Sequence, residues 1–347
     1  MKKAAVIGHF GNGLQCLDGQ TVKTRIVTGE LCRVFGEENI LRLDTHGGVK
    51  ALLKAVPYML RSLKSAKNVI ILPAQNGLKL FGRLLPMLRK FFPDRRLHYV
   101  VIGGWLPRML ESNKGLSGAL KRFDRIYAET QTVKRALEEQ GFDNVSVMPN
   151  CKELTPLTPE ELVYPEGAPY RLCTFSRVVE EKGISDAVQA VIAANQHFGE
   201  TRYTLDIYGQ VDSAQTQWFE ALKKDFPHCV RYGGTVPFDK SVEVLKDYFV
   251  LLFPTRFFTE GVPGTIIDAY AAGIPVISAR WQSYGDIVEE NITGLGYEIC
   301  QTGELAQRLV EIQQDVDSFL ALKKNCLEKS KCFLPRYAIE VILEALA

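Results

Sequence analysis

A chain of 347 residues exceeds what one ordinary hydrophobic core holds, so length alone predicts two domains. Hydrophobic residues make up 46% and charged residues 24%, the balance of a soluble globular protein, and no uninterrupted apolar window is long enough to span a bilayer. Net charge is only +2, yet residues 1–150 hold 24 Lys/Arg against 12 Asp/Glu and the remainder holds 18 against 28, which points the amino-terminal half toward an anionic partner.

The opening MKKAAVIGHF has two lysines and an apolar run that ends at His9, too short for a signal-peptide core. It reads as the first strand. The glycine-bearing loop of VIGHFGNGLQCLDGQTVKTRIV (6–27) follows, with a helix from about Gln20 or Thr21. Gly11, Gly13 and Gly19 suit a phosphate-approach loop, but the spacing is neither GxGxxG nor GxxxxGK[ST], so dinucleotide and Walker readings are weak. The eight cysteines are scattered without a CxxC pair, as expected of packed, reduced thiols in a cytosolic protein without a zinc site.

Further strands of the first half are NILRLDT (39–45), NVIILPA (68–74), HYVVIGG (98–104), RIYAE (125–129) and VSVMPN (145–150). Between Thr45 and Leu110 there are 12 basic residues, and Asp94 is the only acid. RSLKSAK (61–67) and LKLFGRLLPMLRKFFPDRR (78–96) mix cations with apolar residues, which suits an anionic inner leaflet or a lipid-diphosphate sugar. The same residues also fit an ordinary core face under solvated charges. His9 and His46 follow strands and can face a ligand; His98 belongs to core or surface, and Trp105 to a cleft wall or the core.

The polar, proline-bearing CKELTPLTPEELVYPEGAPY (151–170) separates a second series: YRLCTFSR, YTLDIYG, VRYGG, YFVLLFPT, IPVISA and GLGYEI. Parallel strands need helical crossovers, so two βα series predict two doubly wound sheets whose ligands sit beyond the strands' carboxyl ends, in a cleft between facing domains. The final CFLPRYAIEVILEALA (332–347) is an amphipathic helix that either closes the second domain or returns to the first. Asp315-Val316-Asp317 has metal-binding DxD spacing but sits at a polar helix end, where a solvated role is preferred.

Two stretches carry the candidate chemistry. In CTFSRVVEEKGISDAVQAV (173–191), Arg177 follows a strand and Lys182-Gly183 precedes a helix, so a guanidinium and an ammonium can clamp a diphosphate on one loop. A solvated charged loop is the plainer reading there. In FFTEGVPGTIIDAYAAGIPVIS (257–278), Glu260 lies in a strand-to-helix loop and Asp268 in the first turn of a helix from about Thr265 to Ala272. Helix N–H groups suit phosphate and the two carboxylates suit hydroxyls, although Thr265 to Asp268 also fits a capping box.

SRVVEEKG, LDIYGQ, VRYGGTV, FPTRFFTEGVPGTIIDAYAAGIPVIS and ENITGLGYE, in that order, resemble retaining glycosyltransferases of family 4, which have the GT-B fold. The resemblance covers nearly the whole chain. It implies residues 1–154 with 333–347 as an acceptor-binding Rossmann-like domain, and 155–332 as a nucleotide-sugar-binding one. Arg177 and Lys182 would hold the donor diphosphate and Glu260 the transferred sugar's hydroxyls. The backbone of Gly261, Val262, Gly264 and Thr265 would lie near sugar and phosphate. Asp268 would accept from the ribose, Tyr208 and Gly209 would lie near the base, and Gly19 and Gln20 would meet the donor from the first domain.

The family pattern is altered at three places: Asp268 replaces Glu, Pro263 stands where glycine is frequent, and Gly103-Gly104-Trp105 replaces a histidine. The resemblance implies transfer of a hexosyl or N-acetylhexosaminyl unit from a UDP- or GDP-sugar, with retention and without metal or cofactor. The acceptor would be a saccharide or lipid-linked saccharide of bacterial surface polysaccharide synthesis, and the location cytoplasmic, at the inner face of the plasma membrane. A sugar-nucleotide epimerase and a weak or inactive paralogue that binds sugar nucleotide within a membrane assembly are the alternatives. No nucleic-acid partner is expected.

Overall fold

The computed structural model describes residues 1–11, 19–45 and 49–347, the helix side chains of 49–53 excepted. The GNGLQCLDG loop with Gly13, and His46, lie outside the described residues, Gly11 and Gly19 apart. The chain divides into two compact units, Met1–Glu153 with Phe333–Ala347, and Leu154–Cys332.

The first unit carries a six-stranded, fully parallel sheet. Its strands are β1 (Lys2–Gly8), β2 (Ile40–Asp44), β3 (Ala66–Ile71), β4 (Arg96–Val100), β5 (Arg125–Ala128) and β6 (Val145–Val147). The crossovers are α1 (Gly19–Phe35), α2 (Val49–Ser65), α3 (Gln75–Arg89), α4 (Leu106–Glu111), α5 (Lys114–Leu120) and α6 (Gln131–Glu139). The strands are short runs of Val, Ile, Leu and Ala buried on both faces, the signature of a sheet covered twice by helices. Ala5, Ile7, Val69, Ile71 and Tyr99 point into one core with α2 and α3, and Ala4, Val6, Ile70 and Tyr127 into the other with α1. The strand order β2-β1-β3-β4-β5-β6 reverses direction between β1 and β3, where a doubly wound sheet opens a ligand crevice.

The second unit repeats the plan with β7 (Tyr170–Phe175), β8 (Tyr203–Tyr208), β9 (Val230–Gly234), β10 (Val250–Phe253), β11 (Val276–Ala279) and β12 (Gly294–Tyr297). Its helices are α7 (Ile184–Phe198), α8 (Thr216–Lys224), α9 (Ser241–Leu245), α10 (Gly264–Ala271), α11 (Tyr284–Ile287), α12 (Thr302–Glu311) and α13 (Val316–Ser330). The order β12-β11-β10-β7-β8-β9 puts its reversal between β7 and β10. Two short helices, α14 (Pro335–Ala338) and α15 (Glu340–Leu346), belong to the first unit, where Ala338, Ile339, Ile342 and Leu346 pack beside Ile26, Val27 and Leu31 of α1.

The seven described cysteines are free and five of them are buried. Among the described residues no helix is long and apolar enough to cross a membrane, and no group of three or more His, Cys, Asp or Glu is placed to hold a metal. Asp315 caps α13, accepting from the Ser318 amide at 3.0 Å and the Ser318 hydroxyl at 2.6 Å. His98 is core: Asn68 and Tyr127 flank its two ring nitrogens at 3.2 and 3.1 Å, and burial pushes its pKa down to about 4.

Candidate functional site

The β7/β10 reversal assembles the candidate site of the second unit, because the loops leaving those neighbouring strands must diverge there. Glycine lets the two loops touch. Gly183 has φ +70°, and a Cβ on it would lie 1.9 Å from the Pro254 carbonyl oxygen. No other residue fits that backbone and that contact. The Arg256 amide donates to the Glu181 carbonyl at 2.8 Å, and the Arg256 guanidinium grips Asp186 on α7 through two bonds of 2.9 and 2.7 Å. Thr302 also donates to Asp186, at 3.0 Å. The hydrogen bond to Asp186 raises the pKa of Arg256.

This stitching brings Lys182 and Glu260 together. The ammonium donates to the Glu260 carboxylate, which also accepts from the Thr255 hydroxyl at 3.1 Å. Their side chains are 16% and 18% exposed, so the pair is sheltered yet still reachable by a ligand. The Lys182 Nζ lies 5.3 and 5.2 Å from the ring centres of Phe253 and Phe257, a cation–π cradle that fixes the charge without neutralising it. Arg177 stands apart from this contact, 61% exposed and 3.6 Å from Asp212.

The helix after the Glu260 loop differs from the sequence expectation. Pro263, with φ −68° and ψ 125°, is the N-cap, so α10 begins at Gly264. Asp268 is therefore its fifth residue, beyond the first turn, and the capping box does not form. The Thr265 hydroxyl is buried without a partner, while Asp268 is 3% exposed and accepts from Ser241 at 2.9 Å. Gly261 and Val262 are buried, whereas Gly264 and Thr265 are half-buried at the helix start. There the first N–H groups of α10 precede any intrahelical acceptor and favour an anion.

Tyr208 ends β8 on the other side of β7, and Gly209 follows it. Gly209 has φ +136°, and a Cβ would lie 1.8 Å from the Ser176 carbonyl oxygen. The Tyr208 ring packs against Gly233, where a side chain would collide with it. Its hydroxyl is 2.9 Å from that of Tyr248, which in turn donates to Asp206. Asp206 is buried in β8 between Arg171 on β7 and Arg231 on β9, with guanidinium contacts of 3.1 and 3.0 Å. Burial opposes its charge, but hydrogen bonds from Arg231, Tyr248 and Arg171 outweigh that cost and hold its carboxyl below the usual range.

In the first unit Gly19 opens α1, exposed and with space around its Cα. The Gln20 amide donates to the Leu72 carbonyl at 3.0 Å, which fixes the start of α1 at the β1/β3 reversal. Lys23, one turn on, is fully buried and donates to Glu129 at 2.6 Å and to the Val101 carbonyl at 3.0 Å. His9 lies 2.9 Å from the Thr21 hydroxyl, and Trp105 packs half-buried against the core of α2 and α3.

The fold defines the class of protein: GT-B, two Rossmann-like α/β units. The whole chain superposes on an Anabaena Alr3699/HepE structure in complex with UDP, covering 100% of this chain and 99% of that one at TM-score 0.77 and 14% identity. It superposes equally fully on sucrose-phosphate synthase from Thermosynechococcus elongatus, at TM-score 0.75, 15% identity and 98% of that chain. Residues 169–315, which hold the whole β7/β10 site, match the family model described as Glycosyl transferases group 1.

Two curated relatives are more distant in extent. The amylovoran biosynthesis glycosyltransferase AmsK of Erwinia amylovora is 28% identical over 131 residues, 36% of this chain and 31% of that protein. The putative colanic acid biosynthesis glycosyltransferase WcaL of Escherichia coli K12 is 25% identical over 182 residues, 51% of this chain and 44% of that protein. The matched part thus spans less than half of either relative.

Sequence reasoning missed Thr255, Asp186 and Ser241, which hold the site residues in place, and the cluster around Asp206. The one signal for the last was a charged residue in the middle of an otherwise apolar strand, YTLDIYG, with arginine in both neighbouring strands.

Proposed function

We propose that the protein is a retaining glycosyltransferase of family 4. In this reading it transfers a hexosyl or N-acetylhexosaminyl unit from a UDP- or GDP-sugar to a saccharide or lipid-linked saccharide, in the synthesis of a bacterial surface polysaccharide. The observation that carries it is the Lys182–Glu260 pair at the β7/β10 reversal of a unit that matches group 1 glycosyl transferases. Relatives named for amylovoran and colanic acid synthesis, and neighbours bound to UDP or UDP-glucose, support the substrate class.

In this reading the incoming diphosphate takes over the Lys182 ammonium, and Glu260 turns from lysine to the hydroxyls of the transferred sugar. Arg177 and the amides at the start of α10 take further phosphate oxygens. The anomeric C–O bond to the leaving phosphate breaks, the acceptor oxygen bonds to the same face of that carbon, and its proton passes to the leaving phosphate. Fixed positive groups stabilise the charge that develops on the diphosphate. The base lies by Tyr208 and Gly209, the ribose by Asp268, and Gly19 and Gln20 approach from the first unit, which takes the acceptor. The reaction takes place at the cytoplasmic face of the membrane.

Thermal-shift measurement against UDP- and GDP-sugars tests the reading. A ligand that binds only native protein raises its unfolding temperature with concentration. One of these nucleotide sugars is expected to do so in wild type and far less in Lys182→Ala. Absence of any shift across both series would overturn the assignment, and binding without turnover for any acceptor would favour a non-catalytic paralogue.

A further inference from the structure

We propose that the outer face of α2 and α3, together with the turn that follows α3, docks on an anionic lipid bilayer. The inference rests on the membrane-face location proposed above and not on the transfer chemistry. On α3, Lys79, Arg83 and Met87 follow at four-residue spacing and all three are exposed, while Leu78, Phe81 and Leu85 face the core. On α2, Lys54, Arg61 and Lys64 are exposed, while Ala55, Met59 and Leu63 enter that same core. Both helices cover one face of the first sheet and touch each other, so their outer sides form one surface.

Two properties of this surface specify the partner. Among the described residues Lys54, Arg61, Lys64, Lys79 and Lys90 make no ion pair, and Arg83 donates only to the neutral Asn113, at 2.8 Å. The sequence between Thr45 and Leu110 offers one acid, Asp94, and Asp124, from outside it, pairs with Arg89 of α3 at 2.6 Å, so these six cations keep their charge. Beside these cations Met87 is 55% and Phe91 79% exposed. The turn that presents Phe91 is fixed by backbone bonds, Phe91 to Leu88 at 3.1 Å and Phe92 to Arg89 at 2.7 Å, with Phe92 packed against the core and Phe91 directed outward.

Polyanions such as nucleic acid satisfy the cations but leave Met87 and Phe91 in water. A bilayer satisfies both, because lysine and arginine reach the anionic headgroups while the apolar side chains enter the acyl boundary. Such binding weakens with salt, since attraction to the surface is screened over roughly a nanometre.

The test is co-sedimentation of the full chain with vesicles of equal parts phosphatidylglycerol and phosphatidylcholine, and with pure phosphatidylcholine. Wild type is expected to bind the anionic vesicles and to be released by salt. Lys79→Glu/Arg83→Glu/Lys90→Glu should lose binding at least about tenfold, and Met87→Ser/Phe91→Ser several-fold. Equal binding to both vesicle types, or binding unchanged by both variants, overturns the proposal. So does a Met87→Ser/Phe91→Ser variant that binds vesicles as well as wild type, because the surface would then be a general polyanion site. All these substitutions are on exposed positions, and an unchanged unfolding temperature verifies the fold. Nucleoside diphosphate release in solution, measured on the same variants, is expected to stay at the wild-type rate, so failure of the transfer reading is separately visible.

Discussion

Gly183 and Pro254 meet where the loops after β7 and β10 converge, a glycine Cα against a carbonyl oxygen with no room for a methyl group between them. A second such contact joins Gly209 to Ser176. Through these approaches one loop delivers Lys182, the other Glu260, and a third Tyr208.

Gly183→Ala and Gly209→Ala should each therefore destabilise the protein by more than about 2 kcal/mol, from positive-φ strain and from collision with a carbonyl. Urea denaturation measures the effect. Gly19→Ala, a substitution with space around it, is expected to leave stability within about 1 kcal/mol.

Arg256 is expected to act as a positioning residue. Arg256→Gln removes the two-pronged grip on Asp186 and leaves a buried carboxylate short of partners, at a cost of about 1–3 kcal/mol. Looser placement of Glu260 should lower kcat about tenfold while KM for the donor moves less. Arg256→Lys restores charge but not the planar fork, so only partial recovery is expected. A kcat equal to wild type in Arg256→Gln would show that the loop is held by other contacts.

In the first unit, Glu129→Gln strands the buried ammonium of Lys23 and should cost about 3–5 kcal/mol. The double variant Lys23→Met/Glu129→Met removes both charges and should recover most of that loss in the same denaturation experiment. A double variant no more stable than Glu129→Gln would refute the pairing argument.

The buried imidazole of His98 couples stability to pH. Its folded pKa of about 4 lies below the ordinary 6.5, so the unfolded chain binds the extra proton between those values. The stability that this group contributes is complete above pH 6.5 and disappears as pH falls toward 4, to the extent of about 3 kcal/mol. In His98→Gln the stability curve over this window should be flatter than in wild type. Parallel curves would contradict the assignment.

The twelve strands were legible because each is a short β-branched or aromatic run bounded by Gly, Pro, Asn or Asp, and strict βα alternation leaves a parallel sheet as the outcome. The loops bearing Arg177, Lys182 and Glu260 were legible for the same reason, since they follow strands. Their partners were not. Asp206 faces Arg231 only through the β8/β9 register, and Asp186 meets Arg256 across 70 residues of sequence. Asp268 was expected in the first turn but lies one residue beyond it, because Pro263 caps α10 and starts it one residue sooner than the Thr265 spacing suggested. Its carboxylate accepts from Ser241 on α9, a contact that no local spacing announces.

The central claim is that Lys182 and Glu260 exchange each other for the diphosphate and the sugar of one donor molecule. Its most direct test is nucleoside diphosphate release from the nucleotide sugar that stabilises the wild type, compared among wild type, Lys182→Ala and Glu260→Ala. The account predicts that each single substitution lowers the rate by at least about a hundredfold, and that the double variant is little worse than either. Turnover in both single variants within a few-fold of wild type would contradict it.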